Sequence, residues 1–178
     1  LSVFNYAHLP GMFKPQRRIK EDELPAAEEK LDILKMSVEK LTQAGYVYIG
    51  MDHFAKPGDE LAKAAQDGTL HRNFQGYTTH AECDLIGMGV SSISSVSGCY
   101  SQNEKNLEGY YERIAKREFP VIKGLSLTED DLLRREVIQE LACQFSLDFD
   151  RNSAISGVNF NDYFASEMVE LAGMREDK

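Results

Sequence analysis

The order of residue patterns across residues 25–67 constrains the fold most. Leu31, Leu34, Val38 and Leu41 recur at spacings of three and four, the single apolar stripe of a helix. Pro25 stands where a helix can open, because its missing N–H costs nothing in the first turn. Gly45 sits where a left-handed cap ends a helix. Tyr46-Val47-Tyr48-Ile49-Gly50-Met51 then switches to aromatic and β-branched residues, predicting a strand. A short helix is predicted from about Asp59 to Gln66, closed by a turn at Asp67-Gly68. Upstream, Leu1 to Ala7 reads as a buried strand, broken at Leu9-Pro10-Gly11. Strand, helix, strand and helix in succession predict parallel α/β crossovers rather than a hairpin sheet.

Leu70 to Thr79 alternates and is rich in Phe, Tyr and Thr, so it reads as a strand or an ordered loop. Asp84 to Ser97 is dominated by Gly, Ser, Ile and Val. Gly87, Gly89 and Gly98 suggest backbone packed close against a ligand or another segment. After about Ser101 the patterns turn helical, beginning with Asn106 to Lys116. Thr128 caps the next helix, with Asp131 as a short capping-box partner. Leu133, Val137, Leu141 and Phe145 stripe that helix, and Phe160, Phe164, Met168 and Leu171 stripe a last one. A boundary is predicted near residue 100, between an α/β part (1–100) and a helical part (101–178).

Length allows one domain, or one and a fraction. Apolar residues at 42% and charged residues at 28% exclude a disordered tail, a collagen-like fibre and a disulfide scaffold. Twenty Lys+Arg against 29 Asp+Glu give a net charge of −9, poorly suited to nucleic acid or an anionic membrane surface. No apolar run approaches the roughly 20 residues that span a bilayer, and no signal-peptide pattern precedes the first strand. The chain opens at Leu1, in mid-strand and without Met, and is read as part of a longer one. Cys83, Cys99 and Cys143 are odd in number and lack metal-motif spacing, so three reduced thiols in a cytosolic protein are expected, with no metal site.

His8 and His53 each closely follow a strand pattern, where barrel and doubly wound enzymes place site residues. The ordinary reading is a structural or surface histidine, as it is for His71 and His80. Asp52-His53 suits acid–base work, yet neighbours on a strand point to opposite faces, so no direct dyad is expected. Lys14, Arg17, Arg18 and Lys20 form a basic cluster fit for carboxylates or phosphates, or simply a solvated loop. Arg72 carries the same two readings. Phe74-Gln75-Gly76-Tyr77 suits a flat heteroaromatic ligand, and equally a β-bulge. Gly87-Met88-Gly89-Val90-Ser91 is neither GxGxxG nor a P-loop, and no nucleophile elbow or Cys–His pattern occurs. The residues by themselves name no catalytic group.

Four stretches in order carry a resemblance: Leu1-Ser2-Val3-Phe4-Asn5-Tyr6-Ala7-His8-Leu9-Pro10, Tyr48-Ile49-Gly50-Met51-Asp52-His53-Phe54-Ala55, Leu70-His71-Arg72-Asn73-Phe74-Gln75-Gly76-Tyr77-Thr78-Thr79, and Asp84-Leu85-Ile86-Gly87-Met88-Gly89-Val90-Ser91-Ser92-Ile93-Ser94. Together they resemble the oxygen-independent coproporphyrinogen III oxidases, which are radical S-adenosylmethionine enzymes. The resemblance covers nearly the whole chain and is strongest over residues 1–100. It implies the later section of a TIM-like, partial β/α barrel followed by part of a mainly helical C-terminal domain. It implies oxidative decarboxylation of two propionates of coproporphyrinogen III to vinyls, giving protoporphyrinogen IX for haem synthesis. The implied cofactors are S-adenosylmethionine and a [4Fe–4S] cluster whose ligands lie upstream of this chain. The whole enzyme is then a cytoplasmic monomer.

By the same resemblance, Ala7 contributes backbone contacts to one S-adenosylmethionine and Ile93 packs against another. Phe74, Gln75 and Arg72 line the cofactor or substrate pocket. The family's CxxxCxxC and Gly-Gly-Thr-Pro motifs are absent here, so this chain alone is expected to bind no cluster and to be inactive. A haem-binding or trafficking relative without catalysis is the alternative, and a degenerate interaction domain a third reading. The Arg72–Thr79 run favours the oxidase.

Overall fold

A left-handed glycine closes the first long helix. α1 spans Ala27–Gln43. The N–H of Gly45 donates to the carbonyl of Thr42 at 2.9 Å, and that of Tyr46 to Leu41 at 3.0 Å. This paired closure needs the positive φ of +80° at Gly45, which glycine reaches without a side-chain clash. The computed structural model describes residues 1–81 and 83–174. They group into two units, Leu1–Leu70 and His71–Lys178.

In the first unit, β1 (Val47–Gly50) pairs antiparallel with β2 (His53–Ala55). The strand–helix order predicted parallel crossovers, and the pairing corrects that expectation. Only Met51 and Asp52 separate the strands, whereas a crossover needs a dozen residues or more. Met51 takes a φ of 50° to turn the chain. α2 (Glu60–Asp67) starts at Asp59, whose carboxylate accepts the Leu61 N–H at 2.9 Å, and ends at a left-handed Gly68. Ile49 and Phe54, each 2% exposed, form the core with Ala55, Ala62, Ala64 and Leu70.

Leu1 to Ala7 is not the buried strand expected. It is held to β2 and the turn before it through its backbone: Val3 donates to Asp52 at 2.8 Å and Phe54 to Leu1 at 2.9 Å. Its apolar side chains, Leu1, Phe4 and Tyr6 among them, remain exposed. A pattern of apolar residues predicts burial only when a layer is present to cover it.

In the second unit, β3 (His71–Asn73) and β4 (Gly76–Thr78) form a hairpin. β5 (Ile93–Val96), β6 (Cys99–Asn103) and β7 (Val121–Ser126) form a sheet in that order, with both pairings antiparallel. β6 runs through residue 100. α3 (Leu107–Ala115) connects β6 to β7, and Asn106 caps it by accepting the Gly109 N–H at 2.7 Å. α4 (Glu129–Gln144) opens with the Thr128–Asp131 capping box: each backbone N–H donates to the other residue's side chain.

α5 (Phe149–Ser156), α6 (Phe160–Tyr163) and α7 (Ala165–Ala172) complete the chain. The stripe from Phe160 to Leu171 predicted one helix. It breaks at Phe164, which leaves helical geometry between α6 and α7. The break lets Phe160 pack against Phe149 and Phe164, with ring centroids 5.9 and 5.1 Å apart. The stripe on α4 is corrected too: Leu141 and Phe145 are exposed, while Cys143 is buried. The architecture is thus a mixed helix-and-strand one, without a closed barrel among the described residues. None of their helices is long and apolar enough to cross a membrane.

Candidate functional site

The β3–β4 hairpin carries three of the expected site residues. Arg72 faces Tyr77 across it, between the pairs His71–Thr78 and Asn73–Gly76. Antiparallel pairs alternate between hydrogen-bonded and open, so the open pair turns its backbone groups away from the partner strand. Gln139 of α4 takes up both groups of Arg72. Its Oε1 accepts the Arg72 N–H at 2.9 Å, and its Nε2 donates to the Arg72 carbonyl. The Tyr77 hydroxyl donates to the Ala142 carbonyl at 2.9 Å. One side chain from each partner therefore fastens hairpin and helix together.

Open pairs also bring their side chains close. The Arg72 guanidinium lies over the Tyr77 ring, 5.0 Å from its centroid, where the ring face attracts a cation. The Nη1 atom of Arg72 is buried without a hydrogen-bond partner. Nearby, the Cys143 thiol approaches Gln139 Oε1 at 3.7 Å. Burial pushes that thiol up, while the charge of Arg72 draws it down.

Phe74 and Gln75 form the tip of the hairpin, ordered by the Asn73 side chain accepting the Gln75 N–H at 2.8 Å. Both are exposed. Phe74 stands edge-on to Tyr100 of β6 at 5.1 Å, which ties the hairpin tip to the sheet.

Ile93 opens β5 and is half-buried. The glycine-rich loop folds tightly around it. A Cβ at Gly87 would lie 2.8 Å from the Ile93 carbonyl oxygen, so the loop backbone packs directly on the strand. Asn103, the buried polar side chain beneath, donates to the carbonyls of Gly87 and Gly89 at 3.1 and 3.0 Å. The close approach read from these glycines is real at Gly87, and its partner is another chain segment.

Ala7 belongs to the other unit. It is exposed, and its carbonyl accepts Gln16 Nε2 at 3.1 Å. The basic cluster forms a 3₁₀ turn, Lys14–Arg18, and part of it serves local contacts. Arg17 Nε donates to the Pro10 carbonyl at 2.9 Å and Lys20 pairs with Glu23 at 2.7 Å. His8 lies 3.1 Å from the Tyr6 hydroxyl and 3.6 Å from Glu21.

Asp52 and His53 do pair, against expectation, with Oδ1 and Nδ1 2.7 Å apart. Alternation along a strand does not apply, because Asp52 lies in the turn before β2 rather than in a strand. Ser2 Oγ donates to the other Asp52 oxygen at 3.3 Å.

The described residues contain no group of three or more His, Cys, Asp or Glu able to hold a metal ion. Cys83 and Cys99 are exposed and Cys143 is buried. These residues do not fit a cluster. Two open grooves, of about 420 and 250 Å³, lie in the first unit; neither is lined by Ala7, Arg72, Phe74, Gln75 or Ile93. Gln139 and Tyr100 complete the hairpin site and carried no sequence signal, since their partners are remote in the chain.

No family profile matches this chain. It is 52% identical over 177 residues to the oxygen-independent coproporphyrinogen III oxidase of Salmonella typhimurium, 51% to that of Escherichia coli and 50% to that of Pseudomonas aeruginosa. Each alignment covers 99% of this chain but only 39%, 39% and 38% of the relative. The solved structure of coproporphyrinogen III oxidase from E. coli, described as a radical SAM enzyme, superposes with a TM-score of 0.91 at 50% identity. The match covers 99% of this chain and 41% of that one. The chain thus spans about two fifths of the length of the curated relatives it matches.

Proposed function

We propose that this chain is the later part of an oxygen-independent coproporphyrinogen III oxidase. In that reading the whole protein converts two propionates of coproporphyrinogen III to vinyls, yielding protoporphyrinogen IX. The observation that carries it is 52% identity over 99% of the chain to a protein of that name. The names of the relatives favour the oxidase over a haem-trafficking protein. When bound in the whole protein, S-adenosylmethionine and a [4Fe–4S] cluster supply the radical chemistry, with the cluster's ligands outside this chain.

This chain's own part is to bind and orient. The half-buried aliphatic face of Ile93, fixed by the Gly87 contact, offers packing for S-adenosylmethionine. Ala7 offers backbone contacts. Phe74 and Gln75 present a flat apolar ring and an amide at an exposed tip, suited to a macrocycle edge or the cofactor. Arg72 stands behind them. The whole enzyme works as a cytoplasmic monomer on a soluble substrate.

The test is an anaerobic assay of the whole, reconstituted protein with coproporphyrinogen III. Vinyl-bearing product that depends on S-adenosylmethionine is the expected result. Absence of product together with tight, stoichiometric haemin binding would overturn the reading in favour of trafficking.

A further inference from the structure

We infer that Nη1 of Arg72 is held ready for a carboxylate from outside this chain, and that this carboxylate is a propionate of the porphyrinogen substrate. The inference rests on the oxidase reading and adds a residue-level role to it. It begins with the buried Nη1 and its missing partner. Buried polar atoms nearly always find partners, and leaving one unpaired is costly, more so for a charged group. A guanidinium is a permanent cation, so it cannot escape that cost by losing a proton.

Among the described residues no carboxylate serves Arg72. On α4, Glu136 lies 3.5 Å from Arg135, and Glu140 accepts from Asn152 at 2.8 Å and from the Asp148 N–H at 3.3 Å. Among the described residues Arg72 forms no ion pair. Its neighbours are a ring face, a thiol and an amide engaged with its backbone.

Yet the guanidinium is firmly placed. Gln139 clamps both backbone groups of Arg72, and Tyr77 lies beneath with its hydroxyl anchored to α4. A planar, pre-positioned fork is the form in which arginine recognises carboxylates. Arg72 as a whole is only part-buried, although Nη1 itself is covered. Two residues along the chain, the Phe74 ring is exposed at the hairpin tip. An apolar surface on the same hairpin as a cation matches a macrocycle edge bearing a propionate. A free anion such as phosphate would use the cation alone.

The experiment uses the whole protein with Arg72→Gln and Arg72→Lys, and coproporphyrin III as the binding probe, followed by fluorescence. Arg72→Gln should weaken binding by about tenfold or more, with Arg72→Lys between it and wild type. In turnover the loss should fall mainly on KM. Equal affinity for the probe in wild type and Arg72→Gln overturns the inference, whether or not the protein turns over. So does a lowered Tm of the ligand-free protein with unchanged affinity, which assigns the partner carboxylate to the rest of the polypeptide. A wild type that binds coproporphyrin III through Arg72 but makes no product overturns the oxidase reading alone.

Discussion

Arg134 and Glu167, 33 residues apart, form an ion pair of 2.8 Å that joins α4 to α7. Arg134 also reaches both oxygens of Asp130 through Nε at 3.0 Å, and the Tyr163 hydroxyl donates to Asp130 at 2.5 Å. The hydrogen bond from Arg134, then that from Ser166, holds the Glu167 carboxyl down from 4.5 to about 2. Asp130 is lowered as well, first by Tyr163 and then by Arg134.

A carboxylate whose folded value is depressed adds stability above its unfolded value, and that stability is lost as pH falls through the folded one. The window for Glu167 therefore runs from 4.5 down to about 2. In thermal melts Glu167→Gln should lie below wild type near neutral pH, and the gap should close through this window. Being exposed, the pair should also weaken with added salt. A gap that ignores pH would show that the pair contributes nothing.

Gly87→Ala should destabilise by about 1–3 kcal/mol, the usual cost of forcing a methyl into packed structure. The obstacle is backbone: the new Cβ meets the Ile93 carbonyl at 2.8 Å and its carbon at 2.9 Å. Because the strain falls on Ile93, S-adenosylmethionine binding by the whole protein should weaken too. Chemical denaturation and cofactor titration check the two halves separately, and wild-type values in both would show that the loop yields freely.

Phe160→Ala should cost about 3–5 kcal/mol, since the ring is 1% exposed among Phe149 and Phe164. Phe145→Ala, on the stripe read from sequence but exposed in the fold, should stay within about 0.5 kcal/mol. Denaturant midpoints of the two variants decide which face of the helices makes the core.

The legible parts of the fold are those whose signals are local. Thr128 and Asp131 sit three residues apart and form their box; Asn106, Asp59, Gly45 and Gly68 mark helix ends by side chains or φ values that act within a turn. The hairpin at residues 71–78 was half-legible, because strand and ordered loop share one alternation. What stayed hidden depends on distant partners. β7 is exposed along its whole length and exists because β6 offers it an edge. Gln139 finds Arg72 across 67 residues, and that polar clamp turns Cys143 inward in place of the stripe predicted on α4. Arg72, Phe74 and Gln75 were marked by resemblance, whereas the orphaned Nη1 that gives Arg72 its interest is visible only in three dimensions.

β7 closes one side of its three-stranded sheet, and among the described residues no strand lies beyond it. Val121, Ile122 and Leu125 are all open to solvent there, with Lys123 as the only charge in the strand. Such a rim is a template for another extended segment, and a single lysine is a thin guard against it. Handled alone at rising concentration, the polypeptide carries its own route to self-association, in which the first bonds formed are backbone to backbone.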